Sequence, residues 1–485
     1  MDLAEYASFD GLGLAELIRK KQVSVEEVVR AALEASRSMD PKLNAVIEDY
    51  PERVYSASPV ADSPFIGVPF MLKDVGCTEH GRRSEAGSRL ARGLVAEKDS
   101  DLMRRFRQAG LINIGRTATS EFAITATVET ALNGVTRNPW ARDRSTAGSS
   151  GGAAAVVAAG VVPIAHGTDG GGSIRMPASA CGVVGLKPSR GRVSGAPHST
   201  TLGDLTVEFA LTRTVRDTAA LLDAVAGPAA GDPNIFPPPE TSFRKQISVA
   251  PRRLRIALCT ANLWGGPIDG EVVEAARRTG RLLVSLGHDV EEAVPALSAE
   301  RYMAATLDIW CAVSASFVDS LEAESSRRMN ISTVEGLSRA RVERGRSLTA
   351  LDITRALSVL EETSRTMSSF LNEYDVFMSS TLPTVTPRLG QYKPDEEVAA
   401  DWYYPSPVGN LESTTAIFNC AGQPAISLPL ERSAEGLPIG IQFGAVYGQE
   451  GLLLRLAAQL EEAQPWRDSI PPTHVSRETR PDDGE

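Results

Sequence analysis

Thiol chemistry has little to work with in this sequence. The five cysteines, Cys77, Cys181, Cys259, Cys311 and Cys420, stand far apart without a C-x-x-C pair, which excludes the usual dithiol and zinc-ribbon spacings. An odd set of separated thiols fits a reducing compartment. The five histidines, His80, His166, His198, His288 and His474, show no H-x-x-x-H pairing, so a zinc hydrolase lacks its usual ligand spacing. No uninterrupted apolar run approaches the ~18 residues of a membrane span. Basic excess is missing too: Lys+Arg 50 against Asp+Glu 61 gives a formal charge of -11, which disfavours nucleic acid or an anionic membrane as partner. Residues 1–5, MDLAE, have neither the basic start nor the apolar core of a secretory leader. The expectation is a cytoplasmic enzyme that binds neither nucleic acid nor membrane.

What is present is a chain of 485 residues with 42% hydrophobic content, enough to bury a large core. Residues 13–37 read as two helices, with Ser24 and Glu27 placed as a capping box. From Ile66 short apolar runs (67–72, 111–114, 161–165) alternate with helical patterns (100–109, 150–159), the rhythm of an α/β domain around a mixed sheet. A proline-rich stretch, 227–253, reads as a crossing loop before a second α/β half that begins at Leu254. Residues 299–373 are helical by pattern and 374–378 read as a buried strand. Residues 388–410 have no period and suit either a loop over a pocket or a surface loop. The expected organisation is one domain over residues 1–470, with a helical lead-in over about 1–60, a helical insertion over about 299–373, and a fraying polar tail at 471–485.

The chemistry concentrates between Gly148 and Gly191, where Gly and Ser are dense. Glycines let main-chain N–H groups approach a ligand closely, so Gly170-Gly171-Gly172-Ser173 can aim several donors at one point. Such donors suit the oxyanion of a tetrahedral intermediate, where one is worth roughly 3–4 kcal/mol. Taken alone, Ser149 and Ser150 read as caps of the helix that starts at Gly151. The run 148–152 also fits the G-x-S-x-G elbow of α/β-hydrolases, with Ser150 in the serine slot. That match leaves Gly170–Ser173 and Lys73 unexplained, no clear strand precedes it, and no G-K-[ST] follows to make a phosphate loop.

The whole run resembles the amidase signature: Gly148-Ser149-Ser150-Gly151-Gly152, Gly167-Thr168-Asp169, Gly171-Gly172-Ser173-Ile174-Arg175, Pro177, and Gly185-Leu186-Lys187-Pro188. Residues 67–74, ending Leu72-Lys73-Asp74, resemble the family's lysine strand, and 422–429 with 436–442 resemble its C-terminal strands. The resemblance spans roughly residues 10 to 465. It implies an α/β amidase-signature fold, a central mixed, mainly parallel sheet flanked by helices. It also implies a C–N hydrolase with Ser173 as nucleophile, Ser149 as proton shuttle after a cis peptide bond, and Lys73 as base. Backbone N–H groups at Gly170, Gly171, Gly172 and Ser173 would form the oxyanion hole, with Ser150, Asp169 and Arg175 supporting. No metal or organic cofactor is implied.

Residues 136–140 and 181–188 are most similar to the branch containing nylon-oligomer (6-aminohexanoate cyclic-dimer) hydrolases. Thr146-Ala147 replaces residues common before the serine pair, a departure that leaves the triad intact. Ile124, Trp310, Cys311 and Tyr403 or Tyr404 are the expected pocket, an apolar one suited to an uncharged amide or carbamate as small-molecule substrate of a monomer or homodimer. The other readings are a glutamine-hydrolysing subunit of a tRNA-dependent amidotransferase and a non-catalytic binding module.

Overall fold

A computed structural model describes residues 1–56, 60–197 and 202–478. Its strands are β1 (Val46–Asp49), β2 (Pro69–Lys73), β3 (Ile112–Thr117), β4 (Glu129–Thr130), β5 (Gly134–Val135), β6 (Ile164–Asp169), β7 (Val184–Lys187), β8 (Val207–Thr212), β9 (Arg255–Leu258), β10 (Asp289–Glu292), β11 (Val376–Ser380), β12 (Ala425–Arg432) and β13 (Pro438–Gly444). An 11-stranded sheet runs in the order β1-β3-β2-β6-β8-β7-β12-β13-β11-β9-β10, and β4 pairs with β5 apart from it. The mixed α/β sheet is as expected, but parallel pairing is a smaller part of it. It is confined to β2 with β3 and β6, and to β9 with β10 and β11. The centre is antiparallel because β12 returns as β13 through a tight turn at 433–437, which only an antiparallel hairpin allows.

Local chemistry sets the helix starts. Ser24 accepts from the Glu27 N–H while Glu27 accepts from Ser24, and the helix Val25–Leu43 opens on that capping box. Asp10 caps the helix Gly11–Arg19. Buried Asp217 accepts from Gly11 N–H at 2.7 Å and Leu12 N–H at 3.0 Å, which fastens the lead-in to the helix Val215–Val225. The lead-in is not helical throughout, because β1 leaves it to pair with β3. The helix Gly151–Ala158, all Gly, Ala and Val, is buried on every side against the sheet.

The expected strand at 161–165 lies later, as β6, so that its end delivers Asp169 to the glycine turn. The insertion is three helices, Ala299–Ser325, Gly336–Ser347 and Ala350–Glu373. The first is long and apolar enough to cross a membrane by length and composition, yet half of its most apolar stretch is buried inside the molecule. The 388–410 segment runs over the surface but is pinned to it: Tyr392 and Tyr403 are buried with Ala126, Met176 and Leu337.

The expected fraying after Pro471 does not hold for residues 471–478. Val475 is fully buried and donates its N–H to Ala159 at 2.9 Å. Gly160, with φ of 80°, leaves room that a Cβ would lose to His474 Nε2 at 2.6 Å, and Ala7 packs on the same spot. Tyr6 donates to the Val161 carbonyl at 2.9 Å, so both ends of the described chain meet the turn that closes the helix Gly151–Ala158. The remaining tail, 479–485, lies outside the described residues.

Candidate active site

Lys73 is the last residue of β2, and the alternation of strand side chains sends it and Asp74 to different surroundings. Asp74 joins buried Arg116 and accepts from the N–H groups of Glu85 and Gly87. Lys73, 1% exposed, instead points its Nζ at three hydroxyls: Ser149 Oγ at 2.7 Å, Ser150 Oγ at 2.9 Å and Thr168 Oγ1 at 2.7 Å. Burial pushes its pKa from 10.5 down to about 7, against the pull of Asp169 and Glu208 in the other direction. No carboxylate touches the amine among the described residues, so a large fraction is neutral near neutral pH. A neutral amine has two N–H groups and one lone pair, so with three oxygen neighbours it can receive a proton from one of them.

The serine pair sits at the start of the helix Gly151–Ala158, after a cis Gly148–Ser149 peptide bond. Neither serine caps that helix with its side chain, contrary to the simplest expectation for them; both face Lys73. Ser150 Oγ also donates to the Thr168 carbonyl at 3.2 Å and accepts from the Thr168 N–H at 3.3 Å, which ties the helix start to β6. Ser149 Oγ has Lys73 as its one hydrogen-bond partner among the described residues. It is thereby left with capacity for another.

Ser173 follows the glycine turn at the end of β6. Gly172 has φ of 136°, a conformation side chains rarely adopt, and a Cβ there would meet Thr415 Oγ1 at 2.4 Å. The Ser173 carbonyl accepts from the Ser150 N–H at 3.2 Å, so the serine segments are joined through backbone. No hydrogen bond engages Ser173 Oγ among the described residues, and it has no direct bond to Ser149.

The turn is braced from below. Buried Arg175 donates to both carboxylate oxygens of Asp169 at 3.0 and 2.8 Å, to Gln442 at 2.6 Å, to Asn419 at 2.7 Å and to the Thr415 carbonyl at 2.8 Å. Burial opposes charge on Asp169, but the Arg175 guanidinium outweighs it and holds the carboxyl down at about 2. Asp169 Oδ2 in turn accepts from the Ile174 N–H at 3.1 Å, fixing the backbone beside Ser173. Arg175→Met leaves the carboxylate buried and unpaired, so a stability loss of about 3–5 kcal/mol is expected in urea denaturation. An unchanged midpoint at an unchanged slope would remove this bracing role.

The expected pocket residues divide. Ile124 and Trp310 are partly exposed, as is Tyr404. Cys311 is fully buried, because its carbonyl packs against Gly345 of the neighbouring helix, 2.0 Å from where a Cβ would stand. Tyr403 is buried too, its hydroxyl donating to Glu412 Oε1 at 2.8 Å and accepting from the Ala126 N–H at 3.1 Å. Neither Cys311 nor Tyr403 offers surface to a small molecule here, which corrects the expectation for both.

Sequence reasoning missed Thr168, the third hydroxyl on Lys73, although strand alternation places it opposite Asp169 in β6. It also missed Glu412, which stands 3.0 Å from the Cβ position of Gly171; burial lifts its carboxyl to about 7. Nothing near Glu412 in the sequence marks it, because the glycines it meets lie some 240 positions earlier. Cys77, His166 and Glu208 come within 4.8 Å of one another behind Lys73. The backbone N–H of Lys73 lies 3.4 Å from His166 Nδ1, and His166 Nε2 is hydrogen-bonded to Glu208 Oε2 at 3.1 Å.

The amidase family model matches residues 27–454. Among curated proteins, the 6-aminohexanoate-cyclic-dimer hydrolase of Paenarthrobacter ureafaciens is 36% identical over 468 residues, covering 94% of this chain and 95% of that protein. The solved structure of 6-aminohexanoate cyclic dimer hydrolase complexed with substrate superposes with a TM-score of 0.92 at 34% identity, covering 96% of this chain and 99% of that one. A bacterial aryl acylamidase of the amidase signature superposes with a TM-score of 0.83 at 25% identity, covering 94% and 96%. With the Lys73 hydroxyl cluster, the glycine turn and full-length similarity all in place, the chain belongs to the amidase family, hydrolases of amide C–N bonds other than peptide bonds.

Proposed function

We propose that the protein hydrolyses uncharged amides through an acyl-enzyme on Ser173. The observation that carries this reading is the Lys73 amine, buried among three hydroxyls and held down at about 7. Ser173 Oγ attacks the carbonyl carbon as its proton passes to Ser149 and the Ser149 proton passes to Lys73. The oxyanion accepts hydrogen bonds from backbone N–H groups at Gly170–Ser173. When the C–N bond breaks, the leaving nitrogen takes a proton from Ser149, which Lys73 replenishes. Water then repeats the attack on the Ser173 ester and releases the acid.

Ile124, Trp310 and Tyr404 are the apolar residues we assign to the substrate pocket: all three are partly exposed, and Trp310 stands against Gly170. Aliphatic and aryl amides fit that pocket, and carbamates or nylon-type oligomers of 6-aminohexanoate share the chemistry. Every group named in the reaction comes from one chain, so a monomer or a homodimer acting on a small molecule is sufficient. A panel of anilides, linear amides, small carbamates and 6-aminohexanoate oligomers tests the reading by amine release. Turnover of neutral amides is the expected result. Turnover confined to a charged amide, such as a glutaminyl group, would overturn it.

A further inference from the structure

Each glycine of the 170–172 turn has a different side chain standing where its own would be. Gly171 faces the Glu412 carboxylate and Gly172 faces Thr415. At Gly170 the occupant is the Trp310 indole, with Cη2 2.7 Å and Cζ2 3.0 Å from the Cβ position. Of the three, only Gly172 has a backbone conformation that itself calls for glycine. Gly170 therefore lacks a side chain for a different reason: the indole occupies the space.

Trp310 is held firmly enough to act as a wall. It lies mid-way along the helix Ala299–Ser325, which packs on the helix Gly336–Ser347 through the contact of Cys311 with Gly345. It belongs to an apolar cluster with Leu205, Tyr302 and Ile309, yet remains partly exposed. Its position relative to the reaction follows from proton delivery. Ser149 gives its proton to the leaving nitrogen, so that nitrogen lies on the Lys73 side of Ser173. The acyl group, bonded to Ser173, then extends away from that nitrogen along the glycine turn, and on this inference it runs against the indole that stands at Gly170. A carbonyl oxygen held about 3 Å from the turn's N–H groups keeps the acyl α-carbon within about 5 Å of that backbone. Atoms of the indole ring already fill that depth beside Gly170.

We propose that Trp310, admitted by the missing side chain at Gly170, is the specificity-determining wall of the acyl pocket and selects unbranched over α-branched acyl chains. The inference rests on the Ser173 reading above and names the acyl class it serves. The test compares butyryl and isobutyryl p-nitroanilides in wild type, Trp310→Ala, the gentler Trp310→Phe, Gly170→Ala, and the Gly170→Ala/Trp310→Ala double variant. The wild-type preference for the straight chain, as a ratio of kcat/KM, is expected to fall about tenfold in Trp310→Ala and by less in Trp310→Phe. Gly170→Ala is expected to be damaging with the indole present and to regain about tenfold in the double variant, where the two closest atoms are gone and Thr206 Oγ1, 3.1 Å from the Cβ position, is the neighbour that remains.

A ratio that stays put in both Trp310 variants, or losses that simply add in the double variant, overturns the wall. Ser173→Ala run in parallel separates the layers. If hydrolysis stops with Ser173→Ala but the ratio is unmoved, the wall alone is wrong. If hydrolysis survives Ser173→Ala, the nucleophile and the wall fall together.

Discussion

Ser173→Ala is expected to lower kcat for amide hydrolysis about 10^4- to 10^6-fold while leaving the fold intact. The hydroxyl makes no hydrogen bond that its removal would break among the described residues, and its loss opens a space no larger than one oxygen. Ser149→Ala should cost a comparable factor, because the proposed mechanism puts the two serines in one relay and single removals within such a unit are far from additive. Mass spectrometry after rapid quench should show an acyl adduct on Ser173 in wild type and none in the variant. Full turnover in Ser173→Ala would move the chemistry elsewhere, and Ser150 would be the next serine to change.

The second large effect concerns Lys73 and pH. A base must be neutral, so turnover should rise with pH through about 7, the value to which burial brings the Lys73 amine. Lys73→Arg keeps the positive charge and cannot deprotonate, so a loss of about 10^2- to 10^4-fold is expected, with the rise near pH 7 abolished. The sign of a further shift follows from Glu208, whose negative charge raises the Lys73 pKa. Glu208→Gln removes that charge and should move the midpoint of the pH–kcat/KM curve to lower pH. A midpoint that stays fixed, or moves upward, would show that Lys73 does not set the curve.

The parts of this site that were legible in the sequence are those written locally. Lys73 sits at the end of a short apolar run that reads as a strand, and β2 puts it there. Ser149, Ser150 and Ser173 lie in glycine-rich turns beside a helix of small residues, and the spacing of such a motif survives folding because the short helix and β6 between them are rigid. The capping reading of the serine pair failed because tertiary contact overrode local preference: a buried amine offers a stronger partner than a helix N–H. Cys311 and Tyr403 were misplaced for another reason. A residue's position in the sequence does not say which neighbour covers it: Gly345 of the next helix covers Cys311, and Glu412, nine residues on, holds the Tyr403 hydroxyl. The proportion of antiparallel pairing was invisible for the same reason, since hydrogen-bonded neighbours in this sheet come from distant parts of the chain.

The turn at Gly160 has a consequence for how the protein is made. Tyr6 reaches it from one end of the described chain and Val475, with His474, from the other. On a ribosome the strand bearing Lys73 and the helix following Ser149 emerge hundreds of residues before Val475 does. Until then the far end of that helix is gripped from one side only, so the amine and its hydroxyls gain their full enclosure only after Val475 has emerged. Nascent chains halted before residue 475 should therefore bind an amide analogue less firmly than released protein, a delay that keeps a bond-breaking centre unfinished while the polypeptide around it is still being built.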